Sequence, residues 1–593
     1  MSVDQALMNQ LITDNIDTWT STVKTKSTAG RGSSNKLELY GVKKLRELIL
    51  ELAVRGKLVP QDPNDEPSSV LLERIAAEKD QLVKDKKIKK PKKLELIDTK
   101  DYLFDIPSSW NWERLGNIGE TNIGLTYSPK DAGDEGIPVL RSANIQKGKI
   151  DLSDLVRVQK EVKDSVLVEM GDLLICARNG SKALVGKTAK IQSFDEPMAF
   201  GAFMAIFRSC INDYIEVFLN SPVYRRNLDG VSTTTINQIT QTNLRSTICP
   251  IPPVEEQHRI VAKVDELMTL CDQLEQQTEA SFEAHQVLVT TLLDTLTNSA
   301  NAEELMQNWQ MIAEHFDTLF TTIDSIDQLK QTILQLAVMG KLAPQDPNHE
   351  PAAKLLERIA KEKAQLIKDK KIAKQKALPP ITDEEKPFEL PNGWEWCHLN
   401  TIISIMDAGW SPACPPEASP NNDTWGVLKT TAVQNMEYWE HENKVLASSK
   451  EPRPQYEVKK GDILITRAGP KNRVGVSCLV QATRPKLMIS DKIIRFHLVE
   501  VGMSENFVSL CLNAGATATH LESAKSGMAE SQVNISQDKL KVAPVPLAPI
   551  QEQIKIINKV EELLELCEQL KVKLINSQTT QLDLTDAIVE QAV

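Results

Sequence analysis

Few features of this sequence suit covalent or metal chemistry. Its nine cysteines among 593 residues are scattered, with no Cys-x-x-Cys and no histidines paired at ligand spacing. Neither a disulfide framework nor a zinc site is therefore indicated. No apolar run approaches the roughly 18 residues of a membrane span. The segment Met1-Ser2-Val3-Asp4-Gln5 has neither the basic nor the apolar region of a secretory signal, so the cytoplasm is the expected location. Positive charge is also in deficit. With 69 Lys and Arg against 81 Asp and Glu, the net charge of −12 counts against a uniformly basic nucleic-acid-binding surface, though it says nothing of local patches. Two such patches exist: Lys84 to Lys93 holds seven lysines and Lys368 to Lys376 holds five. Each reads equally as a solvated helix end or as a phosphate-contacting run.

Catalytic signatures are missing as well. There is no Gly-rich dinucleotide fingerprint, no Asn-Pro-Pro-Tyr type of amino-methyltransferase motif, and no Ser, His and Asp set that suggests a hydrolase. Gly180-Ser181-Lys182-Ala183-Leu184-Val185-Gly186-Lys187-Thr188 looks like a phosphate-binding loop, but five residues separate its glycines where the motif needs four. The corresponding stretch from Gly469 lacks a Lys-Thr after Gly475. Glu161-Val162-Lys163 and Glu457-Val458-Lys459 could belong to a nuclease carboxylate-lysine cluster, yet they stand at different distances from the turns that follow and read as exposed hairpins.

What the sequence does have is a long internal repeat. Leu52-Ala53-Val54-Arg55-Gly56-Lys57-Leu58-Val59-Pro60-Gln61-Asp62-Pro63-Asn64-Asp65-Glu66-Pro67 returns, without a gap, as the run from Leu336 to Pro351, 284 residues later. The register continues through Leu71-Leu72-Glu73-Arg74-Ile75-Ala76 and Leu355-Leu356-Glu357-Arg358-Ile359-Ala360. Even Ile16-Asp17-Thr18-Trp19 is matched, by Phe316-Asp317-Thr318-Leu319. The chain is a tandem duplication, too long for one core.

Residues 37 to 90 read as helix, break, helix. Val42, Leu45, Leu48, Ile49 and Leu52 line one face, Gly56 offers a left-handed cap, Pro60 and Pro63 bar continuation, and Pro67 restarts the helix at its first turn. Pro107-Ser108-Ser109-Trp110-Asn111-Trp112 and Pro391-Asn392-Gly393-Trp394-Glu395-Trp396 then open segments of short strands. Each contains a Gly-Asp turn into a buried strand (Gly171 to Ile175, Gly461 to Ile465), and otherwise the two have diverged. They close on Pro250-Ile251-Pro252-Pro253 and Pro546-Leu547-Ala548-Pro549. Beyond these, no Gly or Pro occurs until Gly340 in the first copy, nor after Pro549 in the second. The apolar seams Val261, Val264, Met268, Cys271 and Ile557, Val560, Leu564, Cys567, Leu574 predict long helices that pack on other helices, with both cysteines as core residues.

Candidate contact residues lie in the divergent segments. Arg178 and Asn179 follow one buried strand and Arg467 follows the other, the arginines corresponding at an offset of 289. An arginine fork reads guanine, and asparagine or glutamine reads adenine. With Lys182, Thr234, Asn237 and Gln238 in the first segment, and Lys471, Arg473, Ser531, Gln532 and Asn534 in the second, they form the candidate DNA-binding set. The alternative for any one of them is that it only caps a turn.

Two divergent segments, each opened by Pro-x-x-Trp-x-Trp and closed by Pro-x-Pro before Gln257 or Gln553 at the head of a long helix, resemble the specificity subunit of type I restriction-modification enzymes. The resemblance implies an α+β fold in which two mixed α/β target recognition domains are separated by long antiparallel coiled-coil-like helices, in a pseudo-twofold circular arrangement. It implies an extension at 1–36, a helical repeat at 37–103, recognition domains at 104–252 and 388–548, a central helical region at 253–387 and a final helix at 549–593. The helices after Pro253 and Pro549 are expected to pack on the repeats at 323–375 and 37–90 respectively. The implied role is non-catalytic. Each domain reads half of a split target in double-stranded DNA, and the helices set the spacer and dock methyltransferase subunits, two of them. Restriction and translocase subunits join through the complex. This chain is expected to bind no cofactor, S-adenosylmethionine, ATP and Mg belonging to partner subunits. A duplicated protein-interaction scaffold is the alternative.

Overall fold

The computed structural model describes residues 10–25, 37–86, 88, 93–231, 237–300, 302–374, 378–382 and 386–593. Of the two lysine runs, Lys87, Lys89, Lys90, Lys92 and Lys376 lie outside these. The chain divides into two compact units, residues 1–282 with 577–593, and residues 283–576.

The first unit begins with a short helix α1 (Ile16–Ser21), followed by the repeat helices α2 (Tyr40–Val54) and α3 (Ser68–Lys84). The face predicted for α2 is buried: Val42, Leu45, Leu48, Ile49 and Leu52 all enter the core. Its end is a Schellman motif. Gly56 takes φ +71°, its N–H donates to Ala53 O, and the Lys57 N–H reaches back to Leu52 O at 2.9 Å. Pro67 is the residue that caps α3, one place before the predicted first turn. Trp19 on α1 is fully buried against this layer.

A four-stranded antiparallel sheet follows, built from β2 (Glu120–Ile123), β3 (Leu173–Cys176), β4 (Thr188–Lys190) and β5 (Met204–Arg208) in the order β4-β3-β5-β2. Strand β1 (Asn111–Arg114) pairs separately with β6 (Ile248–Ile251), joining the opening and closing motifs of the segment. The long helix α4 (Val254–Asn298) comes next. In this unit Ile260, Val264, Leu267, Cys271 and Leu274 of α4 share a core with α2 and with Ile588 and Val589. Arg46 links α2 to Asp272 and Glu275, while Tyr40 Oη donates to Asp586 Oδ1 at 2.9 Å.

The second unit repeats the plan. It contains α5 (Phe316–Leu319), α6 (Ile323–Val338), α7 (Ala352–Lys368), β7 (Glu395–His398), β8 (Ile403–Ala408), β9 (Ile463–Thr466), β10 (Ala468–Gly469), β11 (Ser477–Leu479), β12 (Ile493–Leu498), β13 (Ser526–Ala529), β14 (Gln532–Asn534), β15 (Pro544–Leu547) and, up to Asn576, the start of α8 (Ile550–Ala592). Its main sheet runs β11-β9-β12-β8, the same order as in the first unit, and β7 pairs with β15 as β1 does with β6. Divergent sequences thus keep one topology, because the buried strands and the Gly-Asp turns survive. Asp172 and Asp462 are both buried; the first is held by Arg208 Nε and Nη2 at 2.7 Å, the second by His497 Nε2 at 2.5 Å.

Two details of the helices extend the sequence reading. The stretch from Pro253 to Gly340 is not one helix, because α4 stops at Asn298 and a further helix spans Ala302–Glu314. Short polar side chains break it without Gly or Pro: Ser299 Oγ donates to Thr295 O, Asn308 Nδ2 donates to Ser299 Oγ, and the Ala300 N–H is capped by Glu304. Helix pairing is also wider than expected. In the second unit Val289, Leu293 and Leu296 of α4 meet Ile326, Leu329, Ile333 and Leu336 of α6, together with Cys567 of α8. In the first unit the start of α4 packs on α2. Helix α4 therefore serves α2 with its first half and α6 with its last turns, the polar stretch from Glu275 to Gln286 lying between the two apolar groups.

Candidate nucleic-acid interface

In both units the strand that follows the Gly-Asp turn ends at an exposed edge. Leu173–Cys176 is wholly buried, and the chain surfaces at Arg178. There Arg178 forms a β-bridge with Gln238, which is exposed, and Ile239 N–H donates to Ala177 O at 2.7 Å. Asn179 is partly occupied: its Nδ2 donates to Ser142 Oγ and its Oδ1 accepts from the Ser181 N–H. Asn237 Nδ2 donates to Gly180 O at 3.1 Å, which ties the two loops together. Lys182 is exposed in the same loop. Thr234 falls outside the described residues.

In the second unit the edge is a small sheet in the order β10-β14-β13. Gln532 and Asn534 are exposed on β14, either side of the buried Val533, and Ser531 is exposed at the turn before them. Lys471 is exposed, and its N–H donates to Glu530 O at 2.8 Å. Arg473 points inward. Its Nη1 donates to Gln434 Oε1 and its Nη2 to Thr430 O and Val433 O, and burial lowers its pKa. Its guanidinium ties a turn instead of facing outward.

The two arginines do not occupy one structural position. Ile535 N–H donates to Arg467 O just as Ile239 N–H donates to Ala177 O, and Ala468 pairs with Asn534 as Arg178 does with Gln238. The fold therefore aligns Ala177 with Arg467 and Arg178 with Ala468, an offset of 290 where the sequence suggests 289. In a strand a shift of one residue sends the side chain to the other face. Accordingly Arg178 is exposed, whereas Arg467 is half-buried and its buried Nε lacks a partner among the described residues.

Sequence reasoning missed Phe203 and Lys492. Both lie in turns that lead into the next core strand, and their carbonyls accept the N–H groups of Arg178 and Arg467 at 3.0 and 2.8 Å. The phosphate-loop look-alike is used by the fold: Lys187 donates its ammonium to Ile145 O, and Thr188 Oγ1 donates to Gly186 O at 3.0 Å. Among the described residues no group of three His, Cys, Asp or Glu side chains gathers to hold a metal ion, and no helix is long and apolar enough to cross a membrane.

Residues 107–284 match the family model described as the type I restriction modification DNA specificity domain. The chain is 52% identical to the type I restriction enzyme EcoEI specificity subunit of Escherichia coli, over 99% of this chain and 100% of that one. This chain belongs to the type I specificity subunits. The EcoAI specificity subunit of the same species is 40% identical over the same shares. Among solved structures, one titled as the structural basis of complex assembly and conformational transition of the type I R-M system is 16% identical, covering 82% of this chain and 98% of that one at a TM-score of 0.46. In this specificity subunit each copy of the duplication carries its own exposed edge after an equivalent strand.

Proposed function

We propose that this chain supplies the DNA sequence specificity of a type I restriction-modification complex and performs no chemistry of its own. Each recognition segment reads one half of a split target. The observation that carries this reading is the repeated edge: in a member of this family, two segments of one topology present different polar side chains at the same place, Arg178 and Gln238 in one and Lys471, Gln532 and Asn534 in the other. Lysines and arginines at phosphates set affinity and register, and the amide and guanidinium groups read base edges. Of the candidates, Arg178, Asn179, Lys182, Thr234, Asn237, Gln238, Lys471, Ser531, Gln532 and Asn534 are kept as contacts; Arg467, half-buried on the other face of its strand, is set aside, and Arg473 is the support of its loop.

The helices α4 and α8, with 45 and 43 residues, reach about 65 Å at about 1.5 Å per residue. They act as the ruler for the unread spacer and, with the repeats, dock two methyltransferase subunits, through which restriction subunits join. S-adenosylmethionine, ATP and Mg act on those partners. Exchanging residues 104–252 for the equivalent segment of another family member, followed by methylation sequencing of the host genome, tests the reading. One half of the methylated motif should change and the other should persist; a change in both halves would overturn it.

A further inference from the structure

Phe203 is anomalous in its surroundings. Phe200 and Met204 on either side are buried, yet Phe203 is 59% exposed. The turn that carries it is tied down: its carbonyl accepts the N–H groups of Ala177 at 2.9 Å and Arg178 at 3.0 Å, and Met204 N–H closes the turn onto Gly201 O at 2.8 Å. The Arg178 guanidinium lies over the ring, 5.2 Å from its centroid, within the roughly 6 Å at which a cation and a ring attract. A guanidinium held over an aromatic face is engaged there through its charge, which leaves its N–H donors for a hydrogen-bonding partner. The Arg178 backbone is fixed on its other side by the bridge to Gln238.

We infer that Phe203 is a specificity-determining residue of the first recognition segment, a platform that aims the Arg178 fork at a base edge. This rests on the reading that the edge faces DNA. A bidentate contact to guanine needs both donors of one side chain in register, and an arginine on a long flexible stem gains that register by losing rotamers to the ring before it binds. The second segment is built differently. Lys492 holds the place of Phe203, and Ala468 the place of Arg178. A lysine offers a point charge with no plane, suited to a phosphate. The platform therefore belongs to one half-site only.

The test uses the full chain assembled with its methyltransferase partner, in competition binding against duplexes varied one base pair at a time across both half-sites. Phe203→Ala should lose roughly tenfold in discrimination at one base pair of one half-site, the scale that a bidentate arginine contact supplies. The other half-site and the melting temperature should be unchanged, and Phe203→Tyr should restore the preference. Arg178→Ala should lose discrimination at that same base pair. If Arg178→Ala loses it and Phe203→Ala keeps it, the platform is refuted while the edge still reads DNA. If Arg178→Ala changes nothing in either half-site, the reading of the edge fails and the platform with it. Uniform weakening over all sequences by Phe203→Ala would also overturn the inference.

Discussion

Glu256 and Glu552 head the two long helices and are buried with a single kind of donor in common. Trp110 Nε1 reaches Glu256 Oε2 at 2.9 Å, and Trp394 Nε1 reaches Glu552 Oε2 at 2.7 Å. The Pro-x-x-Trp element is therefore a lock between the opening of each recognition segment and the helix that follows it. Removing one donor leaves a buried carboxylate oxygen short of a partner, at about 1–3 kcal/mol. Trp394→Phe should lower the urea midpoint accordingly; an unchanged midpoint would show that the bond contributes nothing. Lys363 makes a second test. Its ammonium donates to Asn400 O at 2.7 Å, and burial pushes its pKa down from 10.5 to about 8. The unfolded chain binds the proton more tightly, so between about pH 8 and 10.5 it holds more protons there than the folded chain. Stability should rise with pH across that window relative to Lys363→Met. Urea titrations of the two proteins at pH 7.5 and 9.5 measure the difference, and parallel behaviour would refute it.

At the scale of elements, the repeated Leu-Ala-Val-x-Gly-Lys-Leu run is a helix end. In both copies a glycine at φ near +70° closes a Schellman motif, and a Cβ built there would stand 2.6 Å from the ring of Pro107 or Pro391. Strain and collision add, so Gly340→Ala should destabilise by about 1–3 kcal/mol, read as a lowered melting temperature with sequence preference intact. These features were legible because they are local: helix spacing, glycine caps, proline breaks and Gly-Asp turns each fix their own neighbourhood. The break after Asn298 was not, since it depends on Ser299 and Asn308 meeting across a turn. Nor was the arginine register. Sequence alignment matched Arg178 to Arg467, but strand pairing is decided by partners more than 50 residues away, among them Gln238 and Asn534.

For the whole molecule, the notable fact is that the first unit is made from both ends of the sequence. Residues 577–593 contribute Ile588 and Val589 to the core of α2, Thr585 Oγ1 bonds Thr22 Oγ1 at 3.0 Å, and Lys57 Nζ donates to Val593 O. Deleting residues 577–593 should expose the apolar face of α2 and raise amide hydrogen exchange there. Strands β9 and β12 should keep their protection, because their core contains none of the deleted residues. Faster exchange throughout both units would show instead that the chain unfolds as one.

That closure also sets an order of events on the ribosome. Helix α2 is synthesised early and α4 covers part of its face soon after, but Ile588 and Val589 arrive only after the second unit, from Glu283 to Asn576, has been translated. At about 5–20 residues per second this interval is roughly 15–60 s. Throughout it the nascent first unit carries an open apolar groove, which makes that interval the window in which a chaperone has something to hold.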